Sequence, residues 1–400
     1  MSTATELLTA IKDVGTDSAR GGYSRHGFEA AELELREWFT AEAGKRGLDV
    51  EVDRNGNIWA WWGAPGPDAL VTGSHLDSVP GGGAFDGPLG VVSSLAAVDA
   101  LQAKGFKPGR PLALMVFAEE EGGRFGVPCL GSRLLTGATT AEAALALKDR
   151  SGDTFADALK AAGLDPDRVG KDEEALSRIG KFVELHVEQG RGLVDLDAPV
   201  GVATSILAHG RWRFRFTGEG NHAGATPMTS RHDPMLPASQ LVLSARWAAS
   251  SVDGARATVG RLEPTPGGTN VIASAVDIWL DARAPNDGRT RSVVDRITAA
   301  AKTAARDEGC AVTVTEESYG DAVHFDSELR EELVSALGKA PALPTGAGHD
   351  AGILAGHVPT AMLFVRNPTG ISHAPAEHAE PADCEAGVEA LTKVLEKLAT

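Results

Sequence analysis

Cysteine is scarce in this chain of 400 residues, and its three cysteines, Cys129, Cys310 and Cys384, lie far apart. None of them belongs to a Cys-x-x-Cys pair. This spacing excludes a disulfide framework and a thiolate zinc site, and it favours a reducing compartment. The sequence also lacks any apolar run near the roughly 18 residues that a membrane helix needs. Because its first residues have neither the basic nor the apolar region of a secretory signal, we expect a cytoplasmic protein.

Basic residues are also in short supply, with 38 lysines and arginines against 55 aspartates and glutamates and a formal charge of -17. An acidic surface repels phosphate backbones and anionic headgroups, so we expect neither a nucleic-acid nor a membrane partner. The same surplus of carboxylates is able to hold cations. The hydrophobic fraction of 42% is ordinary for a soluble globular protein, and the length allows roughly two or three domains.

Strand-like and helix-like segments alternate over the first two-thirds of the chain, which is typical of an α/β domain. Helical patterns cover 28–47 and 87–104. Short apolar runs cover 69–74, 111–118 and 181–187, and they are typical of buried parallel strands. The pattern predicts a mixed central sheet with flanking helices.

The segment 210–325 has a different pattern of predicted strands and helices. It begins with a strictly alternating strand at 211–217 and continues with a helix near 234–250. Its β-α-β-β-α-β order is able to build a small α+β domain. We therefore predict a catalytic domain in two parts, 1–209 and 326–400, interrupted by this insert.

Histidine and carboxylate side chains cluster at the ends of the predicted strands. In open α/β sheets, ligands bind beyond the carboxyl ends of parallel strands, so these segments deliver their groups to one edge. Two or three histidines with several carboxylates, and without cysteine, suit one or two divalent ions such as Zn²⁺ or Mn²⁺. The contributing residues are His75 and Asp77, then Asp86, then Glu119–Glu121, then Glu184, His186 and Glu188, and finally His373.

Spacing suggests roles for some of these residues. Asp77 is placed to orient the His75 ring, and Asp86 has two oxygens with which to bridge two ions. Within Glu119–Glu121, one carboxylate can ligate while a neighbour acts as general base, and the residues alone do not choose between Glu119 and Glu120. A run of three glutamates is usually a solvated loop. At the end of a buried strand, however, adjacent carboxylates repel one another unless a cation offsets them.

At these residues the sequence resembles the aminoacylase/carboxypeptidase-like binuclear metallohydrolases. Within them it is most similar to the hydantoinase/carbamoylase branch, which contains N-carbamoyl-L-amino acid hydrolases, β-ureidopropionases and allantoate amidohydrolases. The similar stretches occur in the family's order and are Gly73-Ser-His-Leu-Asp-Ser-Val-Pro, Phe85-Asp-Gly, Glu120-Glu-Gly-Gly-Arg-Phe, Glu184-Leu-His-Val-Glu-Gln-Gly, His222-Ala-Gly-Ala-Thr-Pro-Met, Gly348-His-Asp-Ala and Gly370-Ile-Ser-His-Ala-Pro.

The resemblance implies a zinc-exopeptidase-like catalytic domain with two divalent ions per subunit, Mn²⁺ or Zn²⁺, with Co²⁺ or Ni²⁺ as further options. It implies Glu120 as the general base and the insert at 210–325 as a lid and dimerisation domain. The expected partners are therefore a second copy of the chain and a small substrate that carries a carboxylate. The implied metal ligands are His75, Asp86 as the bridge, Glu121, His186 and His373.

The resemblance also implies residues that contact the substrate. His222 would stabilise the oxyanion, in its own subunit or in the partner. Asn270 and Arg283 match positions that hold the substrate carboxylate, and Gln189 lines the same pocket. The guanidinium fork of Arg283 suits a carboxylate.

Two of these assignments have alternatives. Arg283 could instead form a salt bridge with Asp277 or Asp281. For the pair His349 and Asp350, substrate binding and support of the metal ligands stay open.

Two stretches depart from the pattern of the branch. Gly81-Gly-Gly-Ala-Phe-Asp stands where the branch often has Asn-Gly-Gly-Arg-Phe-Asp, and Arg366-Asn-Pro stands where it has Pro-Ser. Arg366 would suit a substrate with a second carboxylate, although loop arginines are usually solvated. The role of Arg124 is left open.

The predicted function is metal-dependent hydrolysis of the carbamoyl or ureido C–N bond of a linear N-carbamoyl-amino acid or of allantoate. An aminoacylase, an N-formyl-amino acid deformylase or a dipeptidase of the same superfamily is the near alternative. A non-catalytic protein that binds metal or an amino acid is the alternative of another class, and retention of both Glu120 and Glu121 argues against it. A dinucleotide-dependent oxidoreductase is excluded because no Gly-x-Gly-x-x-Gly follows a first strand.

Overall fold

The computed structural model describes residues 2–400. It divides into two compact units, one formed by the described residues up to Ser205 together with His324–Thr400, and the other by Ile206–Val323. The second unit thus begins and ends slightly earlier than the insert expected at 210–325. Over the described part of the chain, no helix is both long and apolar enough to cross a membrane.

Helices and strands are numbered here along the chain. The helices are α1 (Ala4–Ala10), α2 (Ala30–Lys45), α3 (Pro88–Ala103), α4 (Leu130–Thr136), α5 (Ala141–Leu145), α6 (Phe155–Ala161), α7 (Glu173–Arg178), α8 (Gly192–Asp195), α9 (Met235–Ser250), α10 (Asp287–Asp307), α11 (Ser327–Leu337), α12 (Asp350–Leu354) and α13 (Pro381–Leu398). The strands are β1 (Asp49–Val52), β2 (Ile58–Trp62), β3 (Ala69–His75), β4 (Leu112–Phe117), β5 (Ile179–Val187), β6 (Val200–Ile206), β7 (Ala208–Thr217), β8 (Asn221–His222), β9 (Arg256–Thr265), β10 (Val271–Ile272), β11 (Ala275–Ala284), β12 (Ala311–Gly320), β13 (Val323–His324), β14 (Ala342–Thr345) and β15 (Thr360–Val365).

A mixed sheet forms the centre of the first unit, with the strand order β1-β2-β4-β3-β5-β15-β6-β13 and with β14 paired to β6. Its four central strands are parallel, since β3 pairs with β4 and with β5, and β5 pairs with β15. Strands β3, β4 and β15 are buried along their whole length, as their continuous apolar sequences require. The predicted mixed α/β architecture is confirmed, and the carboxyl ends of these strands share one edge.

Close packing of α3 against the sheet depends on small residues. A side chain at Gly90 would lie 2.2 Å from the carbonyl oxygen of Leu185 in β5. Gly87, which precedes the first turn of α3, also leaves no room for a side chain, because one there would meet the His75 ring at the end of β3. Helix α3 is buried over most of its length.

The second unit has a four-stranded antiparallel sheet in the order β12-β7-β11-β9. The side chains of β7 alternate between buried and exposed positions, as its alternating sequence predicts. Trp212, Phe214 and Phe216 point into a core that is completed by α9 and α10. Helix α10 begins at Asp287, directly after Asn286, whose side chain caps the backbone N–H of Arg289.

Candidate active site

His75 and His186 end neighbouring strands, and their rings face the same space. The Nδ1 atom of His75 lies 3.0 Å from the carbonyl oxygen of Asp77, and Nδ1 of His186 lies 2.9 Å from that of Val187. A carbonyl oxygen only accepts hydrogen bonds, so in the neutral form of each ring Nδ1 carries the proton and Nε2 presents a lone pair. Both Nε2 atoms are buried and have no hydrogen-bond partner. Two histidines in this state are ready to ligate a metal ion.

Asp86 lies between two groups of potential ligands. Its Oδ1 is 3.6 Å from Nε2 of His75 and 3.2 Å from Nε2 of His186. Its Oδ2 is 3.4 Å from Nε2 of His373, and His373 is 3.3 Å from Oε2 of Glu121. Asp86 therefore belongs to two three-residue groups whose ligand atoms lie within 4.8 Å of one another. Since each group faces a different oxygen of Asp86, the arrangement suits a carboxylate that bridges two ions.

Carboxylates crowd this space, and burial keeps them from water. Burial raises the pKa of Glu120 to about 7, and burial together with the charges of Asp86 and Glu120 holds the pKa of Glu121 well above its ordinary value. Burial lowers the pKa of His186, but its close contact with the negatively charged Asp86 outweighs burial and raises that pKa to about 9. All of these shifts reflect an excess of negative charge that a cation would offset.

The structure distinguishes Glu119 from Glu120, which the sequence pattern alone could not. Glu119 has a positive φ of 51°, and its carboxylate accepts hydrogen bonds from the backbone N–H groups of Gly27, Arg124 and Phe125 at 3.1, 2.9 and 2.8 Å. The Glu119 carboxylate thus stabilises the loop backbone through these three hydrogen bonds. Glu120 faces the cluster, with Oε2 at 3.6 Å from Nε2 of His75. The geometry leaves Glu120 as the carboxylate available for proton transfer.

Asp77 contacts His75 and also the two glutamates, Glu120 and Glu121. The expected contact between its carboxylate and His75 is long, at 3.6 Å, and the His75 ring is instead held by the Asp77 carbonyl oxygen. The Asp77 carboxylate accepts hydrogen bonds from the N–H groups of Glu120 and Glu121 at 3.1 and 3.0 Å. Asp77 therefore fixes the backbone of the two glutamates.

Gln189 and His349 both lie against the cluster. The amide nitrogen of Gln189 donates to Oδ2 of Asp86 at 2.9 Å. His349 is buried, with its ring centroid 4.5 Å from that of His186 and its Nε2 without a partner. Glu184, His186 and His349 form a further group of potential ligands. Both oxygens of Glu184, however, already accept hydrogen bonds, from the hydroxyl of Ser74 and the N–H of Ala351.

His222 lies in the second unit, on a short two-stranded ladder where it pairs with Val271. Its Nδ1 accepts hydrogen bonds from the N–H groups of Gly224 and Ala225, each at 3.1 Å. The proton of the neutral ring is therefore on Nε2, which makes Nε2 a donor. Asn270 is next to this ladder, and its carbonyl oxygen accepts from the N–H of Ala223 at 3.0 Å.

Arg283 forms a two-pronged salt bridge with Asp281, with nitrogen–oxygen distances of 2.8 and 3.0 Å. Asp277, the other carboxylate considered for it, pairs with Arg213 and Arg215 instead. These contacts agree with the alternative assignment of Arg283, a salt bridge with Asp281. A substrate carboxylate would have to compete with Asp281 for the same guanidinium.

Comparison with known proteins adds to this geometry. Residues 71–397 match the model of peptidase family M20/M25/M40. The chain belongs to this family. It is 37% identical to an N-carbamoyl-L-amino acid amidohydrolase of Geobacillus stearothermophilus, over 98% of this chain and 97% of the relative. It is 35% identical to a ureidoglycolate hydrolase of Arabidopsis thaliana, over 88% of this chain and 77% of the relative.

A solved amidase of the hydantoinase/carbamoylase family from Burkholderia multivorans has the same fold. It matches with a TM-score of 0.89 and 30% identity, over 99% of this chain and 97% of that one. The predicted branch of the M20/M25/M40 family is therefore confirmed. The predicted enzyme class, an amidohydrolase that acts on C–N bonds other than peptide bonds, is confirmed with it.

Two residues of this M20/M25/M40 site escaped the sequence analysis. The carboxylate of Glu377 accepts from the N–H groups of Phe85 and Asp86 at 3.0 and 2.9 Å and so holds the segment that carries the bridge. The hydroxyl of Ser372 lies 3.0 Å from Asp86 and 3.1 Å from Glu377. The only sequence signal for Glu377 and Ser372 was their position in the loop that carries His373.

Arg366 and Arg124 are both paired with carboxylates of the first unit. Arg366 pairs with Asp383 through two hydrogen bonds of 2.8 and 2.9 Å, which favours a structural role over recognition of a second substrate carboxylate. Arg124 pairs with Asp149 at 3.0 Å and donates to the carbonyl oxygen of Gly27. Both arginines tie segments of the first unit together.

Proposed function

We propose that this chain hydrolyses the carbamoyl C–N bond of an N-carbamoyl-L-amino acid, with ureidoglycolate and allantoate as the nearest alternative substrates. The observation that carries the proposal is the buried cluster around Asp86, which has a general-base carboxylate, Glu120, beside it. The relative with the N-carbamoyl activity in its name aligns over nearly the whole chain, which favours that substrate among the three.

We propose that two divalent ions, Mn²⁺ or Zn²⁺, occupy the two groups that share Asp86. His75, Asp86 and His186 would hold one ion, and Asp86, Glu121 and His373 would hold the other. The fit rests on buried atoms that lack partners, namely Nε2 of both His75 and His186 and Oε1 of Glu121. Bound ions supply Lewis acidity to the substrate carbonyl and lower the pKa of water.

The protein's own residues move the proton and hold the charge. Glu120 takes a proton from the attacking water, whose oxygen bonds to the carbonyl carbon. Nε2–H of His222 donates to the oxyanion that forms. Glu120 then gives the proton to the leaving nitrogen as the C–N bond breaks, which releases the amino acid and carbamic acid. Carbamic acid decomposes to ammonia and carbon dioxide.

The family resemblance assigns the orientation of the substrate to polar side chains. Arg283 and Asn270 would hold the substrate carboxylate, and Gln189, whose Oε1 is buried without a partner, would accept from the substrate's terminal NH₂. A buried acceptor without a partner favours a substrate that fills it with a donor. An N-carbamoyl group carries such an NH₂, whereas an N-acetyl group does not. The order of preference is therefore carbamoyl over acetyl.

We propose that the second unit also forms a homodimer interface. Leu236, Leu243 and Trp247 lie along one exposed face of α9, and Trp247 is 67% exposed. The adjacent sheet ends in β9, whose outer edge is unpaired in the described chain. An apolar helix face beside a free strand edge suits a second copy of the same surface. Sedimentation equilibrium of Trp247→Glu should give monomers, whereas dimers of unchanged affinity would contradict the interface.

One substrate panel tests the proposed reaction. Purified protein loaded with Mn²⁺, Zn²⁺ or Co²⁺ would be assayed against N-carbamoyl, N-formyl and N-acetyl amino acids, a dipeptide, ureidoglycolate and allantoate, with ammonia and amino acid as products. Fastest turnover of an N-carbamoyl amino acid is expected. Turnover of N-acyl amino acids or the dipeptide alone would establish the aminoacylase or dipeptidase alternative, and no turnover with any metal would favour a binding protein.

A further inference from the structure

The start of α4 is bonded directly to the glutamate run that follows β4. Three successive N–H groups, which a helix N-terminus leaves without intrahelical partners, donate to three successive carbonyl oxygens, two in that run and one in the residue before it. These bonds close the intervening loop and tie the first helical turn to the segment 118–120. The bonds run from Cys129 to Glu120 at 2.6 Å, from Leu130 to Glu119 at 3.1 Å and from Gly131 to Ala118 at 2.9 Å.

Cys129 occupies a backbone position that glycine would adopt more easily. Its φ is 55° and its ψ is 36°, in the left-handed region that disfavours residues with a side chain. The side chain is buried, and its Sγ donates to Oε1 of Glu120 at 3.2 Å. Burial raises the pKa of this thiol well above its ordinary value, so the sulfur keeps its proton and remains a donor.

Two further buried residues hold Cys129 in place. The hydroxyl of Ser132 lies 3.2 Å from the carbonyl oxygen of Cys129 and 2.5 Å from Oδ1 of Asp350. Burial, with the charges of Glu120 and Glu184, holds the pKa of Asp350 well above its ordinary value. The Ser132 hydroxyl thus lies within hydrogen-bond distance of both the Asp350 carboxyl group and the Cys129 carbonyl oxygen. A continuous chain of hydrogen bonds therefore runs from Asp350 to Cys129, whose thiol in turn bonds Glu120.

We propose that Cys129 is a positioning residue for the general base: its thiol holds Oε1 of Glu120 so that Oε2 faces the cluster. Oε2 then lies 3.6 Å from Nε2 of His75. Without the donor, the Glu120 side chain can rotate about its terminal bonds and spend less time in the reactive orientation. The inference rests on the proposed function, because it assigns Glu120 its role in hydrolysis.

Substitutions at Cys129 separate positioning from stability. Cys129→Ala and Cys129→Gly both remove the donor, and kcat should fall about tenfold in each with KM nearly unchanged. Glycine relieves the positive φ, so Cys129→Gly should be more stable than Cys129→Ala and yet equally slow. Cys129→Ser retains a donor and should recover most of the lost kcat. The matched control is Cys384→Ala, at a buried cysteine in α13, with wild-type kcat expected.

Several kinetic results would overturn the proposal. These are wild-type kcat in Cys129→Ala and Cys129→Gly, a loss in Cys129→Ser as large as in Cys129→Ala, or a kcat that follows thermal stability across the variants. The bound metal content of each variant would be measured alongside and should equal that of the wild type.

A spectroscopic measurement tests the contact even if none of the expected substrates is hydrolysed. The Raman difference between wild type and Cys129→Ala isolates the S–H stretching band of Cys129. In Glu120→Gln this band should move to higher frequency, because a neutral amide accepts a weaker hydrogen bond than a carboxylate. The Cys384 band should not move. An unchanged Cys129 band would overturn the proposal, whereas a shifted band without turnover would fault the proposed function alone.

Discussion

The two units of this molecule hold their functional side chains in different ways. In the first unit the histidines and carboxylates are mostly buried, and several of their polar atoms have no partner in the protein. In the second unit His222 is exposed and Arg283 is already paired with Asp281. The first arrangement is prepared for ions before any ligand arrives. The second consists of groups that are exposed to water or paired with neighbouring residues.

The difference follows from how each set is built. His75 and His186 end parallel strands whose register is fixed by the buried sheet, and Asp86 is held by backbone contacts to Glu377. His222 lies on a two-residue ladder, and Arg283 on a strand of the insert. We therefore expect substitutions in the first unit to remove chemistry or metal, and those in the second to affect the transition state or substrate affinity.

The largest effect is expected from Glu120→Gln. An amide cannot accept the proton, so kcat should fall by about two to four orders of magnitude while the metal content is retained. Steady-state kinetics with metal analysis of the same sample checks this. Glu119→Gln is the matched control, since Glu119 is bonded to backbone N–H groups and its loss should lower the unfolding midpoint more than kcat. Near-normal turnover by Glu120→Gln would assign the base elsewhere.

A smaller effect on kcat is expected from His222→Ala. Loss of one oxyanion donor should reduce kcat by about 100- to 1000-fold and leave KM and metal content close to the wild type. His232→Ala, at another exposed histidine of the same unit, is the control and should behave as the wild type. Equal kinetics for the two variants would show that the second unit contributes no donor to the reaction.

The smallest of the three effects is expected from Arg283→Ala, and it should appear in KM. Loss of a charged hydrogen bond to the substrate carboxylate should raise KM by about 10- to 100-fold with kcat less affected. Arg213→Ala serves as control, because Arg213 pairs with Asp277 and stacks on Trp279. A substrate in which an amide replaces the carboxylate provides the contrary test. If Arg283→Ala raises the KM of this substrate by the same factor, Arg283 acts through Asp281 and the structure of the insert.

The sequence predicted a cluster of candidate metal ligands because the relevant pattern is local, and the resemblance to a known family selected the five ligands from it. Each candidate ligand follows a buried strand or begins a helix, and the edge shared by parallel strands brings them together. The choice of Glu120 over Glu119 required the positive φ of Glu119 and its bonds to a distant loop. Neither can be read from three consecutive glutamates.

The remaining differences come from contacts between segments distant in sequence. The sequence analysis left the role of Arg366 open because its partner, Asp383, lies in α13, a helix that the sequence analysis did not identify. The four helices α4–α7 were also missed, because they are short and carry weak periodicity. Glu377 escaped notice because its role depends on backbone groups of Phe85 and Asp86.

The central claim, that Asp86 is shared by two metal-binding groups, is tested most directly by counting bound ions. Equilibrium dialysis against Mn²⁺ or Zn²⁺, followed by elemental analysis, should give two ions per wild-type chain. His373→Ala should retain one ion, since it removes a ligand from only one group, and Asp86→Ala should lose both. A single ion in the wild type, or two ions in the Asp86→Ala variant, would contradict the shared site.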